Sequence, residues 1–482
     1  MSSSNYFARF PVELYLNILS LLSPSDLASL ACVSSSFWNA TQPELYRNIY
    51  LNGCVSRAEK CIRTLSNSTI GSAGLVRQFS LLLPEDDLKE DNKKKLKSPQ
   101  FWKMLSRALT CMDGVREVGL ECPFHPDLLA ALLSPMDHLT TLSLICVDDY
   151  SKCVSSTDDS TGTFGILPDL KAKLPSLRHL EIQVQFFVDP VIRDIFHGMV
   201  ADHAEQLQGL SLYIRTTKDN EFTGLLPEDI CLPNLRILAD LPLPYLTPAL
   251  PRQIPNITTL TFASIPFGPI PTLSLSHAFP TLEKIETSYT VMPLFSTSPR
   301  SLQSIEIHPG MDTHWEDVRV AVKSLINCAP SLRILHLDLF MLGAPLNELW
   351  TLMPPLSSLE SIFFRVAPDW SSFDLRYALE ILVSVSEDLF PRLPNLRTFT
   401  FLEGCPTFPL SSFNEFATLK VQRHMLDHWE QVGLPGSLSE VSFTSSVKWS
   451  KRGRDWVPRS AVGEFKQWEI GIQPAVASIR ID

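Results

Sequence analysis

Residues 330–338 read PSLRILHLD. Leu332, Leu335 and Leu337 form an L-x-x-L-x-L unit directly behind a proline. The alternation at its end predicts a short strand whose leucines share one face and point into a core. The unit recurs along the chain. Clear copies are Leu177/Leu180/Ile182, Ile257/Leu260/Phe262, Leu302/Ile305/Ile307, Leu359/Ile362/Phe364, Leu396/Phe399/Phe401 and Leu438/Val441/Phe443. Weaker copies are Val115/Val118/Leu120, Leu139/Leu142/Leu144, Leu207/Leu210/Leu212 and Leu282/Ile285. Leu235/Leu238 lacks a third apolar residue because Asp240 stands there. Val76/Phe79/Leu81 and Val476/Ile479/Ile481 are candidate outermost copies. Successive units are about 20 to 42 residues apart, the range of stacked repeats with loop insertions.

Between the units the chain must return to start the next strand. Helical returns are expected at 191–204, 314–328, 374–388 and 413–432. The stretches 242–255 and 264–280 hold too much proline and are expected to be extended. Stacked copies give a parallel sheet on the inside of a curved solenoid. The pattern resembles an irregular leucine-rich-repeat array, although the usual Asn two positions past the third leucine is mostly absent. The fold class expected is therefore α/β.

Period-two alternation assigns the residues flanking the third apolar position to the concave face. These include Glu181 and Gln183, Ser211 and Tyr213, Glu286 and Ser288, Glu306 and His308, His336 and Asp338, Phe363 and Arg365. Glu306 should stand beside His336, and His308 beside Asp338, with Arg365 next in that column. Such a row reads as a solvated ladder of cross-strand pairs or as a site for a partner.

The N-terminus is a different device. From Phe10 it reads FPVELYLNILSLLSPSDLASLACVSSSFWNATQPELYRNIYL. Pro11 suits a helix N1 position and Glu13 the first turn. Leu14, Ile18, Leu21 and Leu22 recur at helical spacing, yet Tyr15, Leu16 and Leu19 make this helix apolar nearly all round. Ser23-Pro24-Ser25-Asp26 ends it and caps a second helix with Leu27, Leu30 and Ala31. Val33 leads into a third segment with Phe37 and Trp38, which Pro43 is expected to break. So small a module has more apolar surface than it can bury alone, and a helix apolar on every side is covered by a partner or a neighbouring domain.

These residues resemble an F-box. Phe10-Pro11 stands where that motif has Leu-Pro, followed by Glu13-Leu14, Ile18-Leu19, Leu22, Asp26-Leu27, Leu30, Val33-Ser34, Phe37-Trp38 and Leu45-Tyr46. The resemblance implies that Phe10, Pro11, Leu14, Ile18, Leu19, Leu22, Leu27, Leu30, Val33, Phe37 and Trp38 meet the Skp-type adaptor of a cullin–RING ubiquitin ligase. The expected organisation is an F-box at 1–51, a linker and first return at 52–75, and the repeat array at 76–482.

Composition narrows the function classes. The chain has 482 residues, and 41 basic against 52 acidic side chains give −11, which argues against duplex binding. No apolar run has membrane-span length, and MSSSNYFARF lacks the apolar core of a signal peptide. The ten cysteines contain no Cys-x-x-Cys pair, and Cys54/Cys61 and Cys146/Cys153 are too widely spaced for familiar zinc knuckles. Reduced thiols in a cytoplasmic or nuclear protein are expected. His424 and His428 are i, i+4, but no Glu follows the first, so the zinc-protease pattern is missing. Gly162-Thr163-Phe164-Gly165 lacks the lysine of a phosphate loop. Glu85 to Lys97 reads as a solvated insertion, and Ser151 to Gly162 as a polar loop. Lys448 to Trp456 mixes cations and aromatics and reads as a cation–π-stabilised loop closing the last repeat, or as a grip on an acidic partner or nucleic acid. No catalytic set, resident metal or cofactor emerges.

An F-box ahead of leucine-rich repeats implies a non-catalytic substrate receptor: the adaptor, with cullin and RING subunits behind it, at one end and an unidentified protein substrate at the other. The style of the repeats resembles the expanded F-box families of mushroom-forming fungi. The alternative is a repeat scaffold that uses its F-box outside ubiquitylation.

Overall fold

The computed structural model describes residues 12–67, 71–83, 96, 98–122, 136–146, 174–184, 197–214, 226, 229–262, 275, 278–296, 299, 301–310, 313–339, 346–366, 381–403, 418–444 and 447–460. The chain is mixed α/β, with helices at the N-terminus and mostly parallel sheet thereafter. It divides into two compact units, Met1–Glu221 and Phe222–Asp482.

The first unit opens with three helices, α1 (Val12–Ser20), α2 (Pro24–Ala31) and α3 (Ser35–Leu45). Ser23 caps α2 by accepting the Asp26 N–H at 3.2 Å, with Pro24 just inside the helix. Ser34 caps α3 through the Phe37 N–H, also at 3.2 Å. Pro43 does not break this helix, as the sequence suggested; α3 runs through it to Leu45. Only the last turn follows Pro43, so a single missing N–H is all the helix forgoes.

Six parallel strands follow in sequence order: β1 (Asn48–Asn52), β2 (Gln78–Leu82), β3 (Glu117–Cys122), β4 (Thr141–Cys146), β5 (His179–Val184) and β6 (Gly209–Ile214). The ladder thus starts one strand earlier than the first expected repeat copy. Ile49 and Leu51 of β1 align with Phe79 and Leu81 of β2. Between strands lie α4 (Val55–Ser66) and α5 (Pro99–Cys111). α4 buries Ala58, Ile62 and Leu65, and α5 buries Phe101, Leu105, Ala108 and Leu109, each at helical spacing.

The second unit carries eight parallel strands and a closing hairpin. The parallel set is β7 (Ile237–Leu241), β8 (Thr259–Phe262), β9 (Lys284–Ser288), β10 (Ser304–His308), β11 (Ile334–Asp338), β12 (Ser361–Val366), β13 (Thr398–Glu403) and β14 (Glu440–Thr444). Helices α6 (Trp315–Ser324), α7 (Leu346–Leu352) and α8 (Leu419–Val432) pack behind it. α6 lies within the return expected at 314–328, and α8 within that at 413–432. The stretch 242–255 is not extended: Leu243–Tyr245 is a 3-10 turn and Leu250–Gln253 a turn of α-helix. Pro244 and Pro251 each occupy one of the first two positions of these turns, where a missing N–H costs nothing. Most of 264–280, the segments 85–95 and 151–162, Gly162–Gly165 and the Val476 copy lie outside the described residues.

Two features explain the repeat. Its three apolar positions are buried in copy after copy, as at Leu332, Leu335 and Leu337, all 0% exposed. Parallel sheets need covered faces, and these residues cover the helix side. The Ser or Asn behind the proline stitches neighbouring copies. Ser331 Oγ donates to Leu302 O at 3.0 Å, Asn256 Nδ2 to Pro233 O at 2.8 Å, and Asn395 Nδ2 to Ser357 O at 2.7 Å. Alongside, one carbonyl accepts two N–H groups where each strand begins: Arg333 O takes Glu360 at 2.8 Å and Ser361 at 2.9 Å. Buried loop polarity is satisfied by the next copy.

The copy broken by Asp240 is repaired by a bulge. Asp240 adopts φ +53°, the register shifts between Leu238 and Leu241, and Leu241 pairs with Phe262. The extra residue moves Leu241, 0% exposed, into the place the sequence left empty.

The chain segment from Lys448 to Trp456 is a hairpin rather than a loop. β15 (Val447–Arg452) and β16 (Asp455–Ser460) pair antiparallel across a two-residue connection with Gly453 at φ +64°. Lys451 Nζ does lie 5.4 Å from the Trp456 ring centroid, as a cation–π pair. Trp449 Nε1 donates to Gln422 Oε1 at 2.7 Å and Trp456 Nε1 to Glu430 Oε1 at 3.0 Å, tying the hairpin to α8.

Candidate functional site

Two surfaces stand out, one in each unit. The first is the helical module. Leu19 of α1 and Leu27 and Ala31 of α2 are buried and hold the helices together. Leu14 is 51% exposed, Ile18 48%, Leu21 85% and Val33 67%. Leu22, Leu30, Phe37 and Trp38 are half-buried between these layers. Phe10 and Pro11 lie outside the described residues. With Leu16, 40% exposed, five large apolar side chains are open on a short segment, a density of the kind that marks protein interaction sites. Leu21, just past α1, belongs to this set; helical spacing grouped it with Leu14, Ile18 and Leu22, and only the packing separates it, exposed, from half-buried Leu22.

The second surface is the face of the sheet opposite the core, from β9 to β12. Glu306 and His308 are two apart on β10 and so project to one side. Register sets Glu306 between Glu286 of β9 and His336 of β11, with Phe363 of β12 next. Asp338 pairs with Arg365 in the neighbouring row. His308 Nε2 lies 3.1 Å from Glu306 Oε1 and 3.4 Å from Glu286 Oε1, while its Nδ1 lies 3.5 Å from Asp338 Oδ2. His336 Nδ1 is 3.7 Å from Glu306 Oε2, and Arg365 Nη1 is 3.5 Å from Asp338 Oδ2. The His336 ring sits 5.1 Å from that of Phe363.

Electrostatics follow from this packing. Burial alone would raise the Glu306 carboxyl, but hydrogen bonds from His308 and His336 and their charge outweigh it and hold it well below the usual range. Burial alone would lower His308, but hydrogen bonds to Asp338, Glu286 and Glu306 and the charge of Glu306 raise it well above an ordinary imidazole. The three carboxylates around the His308 ring thus favour its charged form over the neutral one. Tyr289, buried behind the row, donates its phenol O–H to Asp338 O at 3.0 Å. Sequence periodicity gave no sign of Tyr289, which directly follows β9 and is fully buried.

The remaining predicted residues lie in the first unit. Glu181 and Gln183 of β5 are 3% and 1% exposed, not solvated as alternation alone suggested. Gln183 Nε2 donates to Glu181 Oε1 at 2.9 Å. Burial raises the Glu181 carboxyl, against hydrogen bonds from Ser143 and Gln183. Tyr213 stands opposite Gln183 in register. Glu306 and Phe363 are also buried, because neighbours on both flanking strands close over a central row. His424 and His428 fall on α8, with His424 exposed. Donor atoms of Glu286, Glu306 and His308 lie within 4.8 Å of one another, the described residues' one grouping suited to a metal ion. No described helix is long and apolar enough to cross a membrane.

Comparison with curated proteins finds no match. Residues 7–52 match the F-box-like family, so the exposed apolar patch belongs to an F-box-like domain at the head of the chain.

Proposed function

We propose that the chain is the substrate-recognition subunit of an SCF-type cullin–RING ubiquitin ligase. The observation that carries this reading is the exposed patch of Leu14, Ile18, Leu21 and Val33 within the F-box-like match. A Skp-type adaptor covers that patch and brings cullin and RING subunits with it. The strands behind are read as irregular leucine-rich repeats of the fungal F-box type, with residues 1–51 as the F-box, 52–75 as linker and first return, and 76–482 as the repeat array. The residues that meet the protein substrate are Glu306, His308, His336, Asp338, Phe363 and Arg365 in the second unit, and Glu181, Gln183 and Tyr213 in the first. The chain itself does no chemistry. It raises the effective concentration of a substrate lysine near the conjugating enzyme. The protein works in the cytoplasm, the nucleus or both.

The test is co-purification from native extract of the full chain and of an Ile18→Asp/Val33→Asp variant. The wild type should bring adaptor and cullin, and the variant neither. Adaptor and cullin retained equally by both would overturn the assignment. Adaptor without cullin in the wild type would point instead to a scaffold outside ubiquitylation.

A further inference from the structure

Three donor atoms converge at the β9–β10 part of the second surface. Glu306 Oε1 and Glu286 Oε1 lie 3.1 and 3.4 Å from His308 Nε2. Zinc holds nitrogen and oxygen ligands at about 2.0–2.1 Å, which sets neighbouring donors of a tetrahedron roughly 3.3 Å apart. Two edges of the triangle already have that length. The ligands' other atoms are held as well. His308 Nδ1 faces Asp338, which turns Nε2 toward the two glutamates, and Arg365 braces Asp338 from the next strand. A carboxylate on the distal ring nitrogen is the arrangement that orients metal-bound histidines. The second oxygen of Glu306 faces His336.

Exposure is graded across the triad: 10% for the Glu306 side chain, 25% for His308 and 32% for Glu286. Glu306 and His308 are held by their neighbours, Glu286 is the most exposed of the three, and water would complete the sphere. One imidazole with two carboxylates suits a borderline cation. Magnesium and calcium prefer about six or more oxygens.

We propose that Glu286, Glu306 and His308 form a site for a single zinc ion, with Asp338 as the positioning residue on His308 Nδ1. On binding, the imidazolium proton directed at the two glutamates leaves to solvent and the metal takes its place. The inference is independent of whether this face also receives a protein. Sequence reading puts Glu286 and Glu306 at the same position of successive copies, but the turn of the His308 ring toward both shows only in the packed side chains.

Isothermal titration of the chelator-treated full chain with zinc chloride tests it, against Glu286→Gln, His308→Ala and Asp338→Asn variants. Expected are one zinc per chain and loss of that binding in Glu286→Gln and His308→Ala. Asp338→Asn should keep the stoichiometry and weaken affinity about 10–100-fold. Magnesium should bind far more weakly. Glu286 is peripheral, so its variant stays interpretable if His308→Ala melts early. Among the described residues, the exposed thiols of Cys32, Cys54 and Cys231 are competing zinc ligands. Zinc retained in Glu286→Gln and His308→Ala, no zinc in the wild type, or equal magnesium binding would each overturn the proposal.

Discussion

Gln183 Nε2 donates to Glu181 Oε1 at 2.9 Å, while Glu181 Oε2 and Gln183 Oε1, both buried, have no hydrogen-bond partner among the described residues. Burial of that kind disfavours the carboxylate, so the folded chain binds the Glu181 proton more tightly than the unfolded chain does.

The consequence is a pH-dependent stability term. It is fully present below the unfolded carboxyl value, about 4.3, and is lost as pH rises through the higher folded value. Glu181→Gln removes the charge and supplies an N–H to the orphaned Gln183 oxygen. The variant should be more stable than wild type by about 1 kcal/mol at pH 7.5, with the gap closing toward pH 4. Urea melts across that range check it. A gap that stays constant or widens at low pH contradicts the account.

A second relationship fixes register. Gly209 of β6 lies opposite His179 of β5, and a Cβ at 209 would run into the imidazole. Gly209→Ala must displace the ring or shift the strand, at a cost of about 1–3 kcal/mol. Gly198, in a helical turn with nothing within 4 Å of an added Cβ, is the control. Gly198→Ala should be neutral or stabilise by up to about 1 kcal/mol. Equal effects of the two substitutions in chemical denaturation would show that the β5–β6 fit is not the cause.

Much of this architecture is legible in particular residues. Leu332, Leu335 and Leu337 announce β11 because a strand with one covered face must alternate. The Ser or Asn behind each proline marks the loop because its side chain serves the preceding copy's carbonyl. What was not legible depends on distant chain. Nothing local in Lys448–Trp456 shows that Gln422 and Glu430 on α8 await its two indoles. The repeat spacing aligned the rows, as with Glu306 beside His336, but the burial of Glu181 and the approach of Glu286 to His308 depend on how the side chains pack across strands. At the N-terminus the helical pattern named the apolar set, but separating Leu19 inward from Ile18 outward required the packing of α1 on its neighbours.

The bulge at Asp240 makes a third prediction. Its φ of +53° suits glycine or asparagine, strains a β-branched residue, and is what carries Leu241 into the core. Asp240→Val should destabilise the fold by about 1–2 kcal/mol, and Asp240→Gly should be tolerated much better. Leu241→Ala should cost about 2–5 kcal/mol, as for a fully buried leucine. If Asp240→Val melts like wild type, the bulge is not under conformational control.

The sharpest division lies within α1. Leu19 is 1% exposed and its neighbour Ile18 is 48% exposed. Leu19→Ala therefore removes a packed side chain and should cost about 2–5 kcal/mol, with adaptor binding falling only as far as the helices loosen. Ile18→Asp touches no core and should leave thermal stability within about 0.5 kcal/mol. It places a charge in the centre of the proposed adaptor contact, where one hot-spot side chain contributes about 2 kcal/mol or more, or roughly 30-fold in affinity. Measuring both variants by thermal melt and by titration with purified Skp-type adaptor separates the roles. Opposite patterns in the two assays assign one residue to the module and its neighbour to the interface. Loss of adaptor binding by Leu19→Ala alone would mean that α1 docks through a different face.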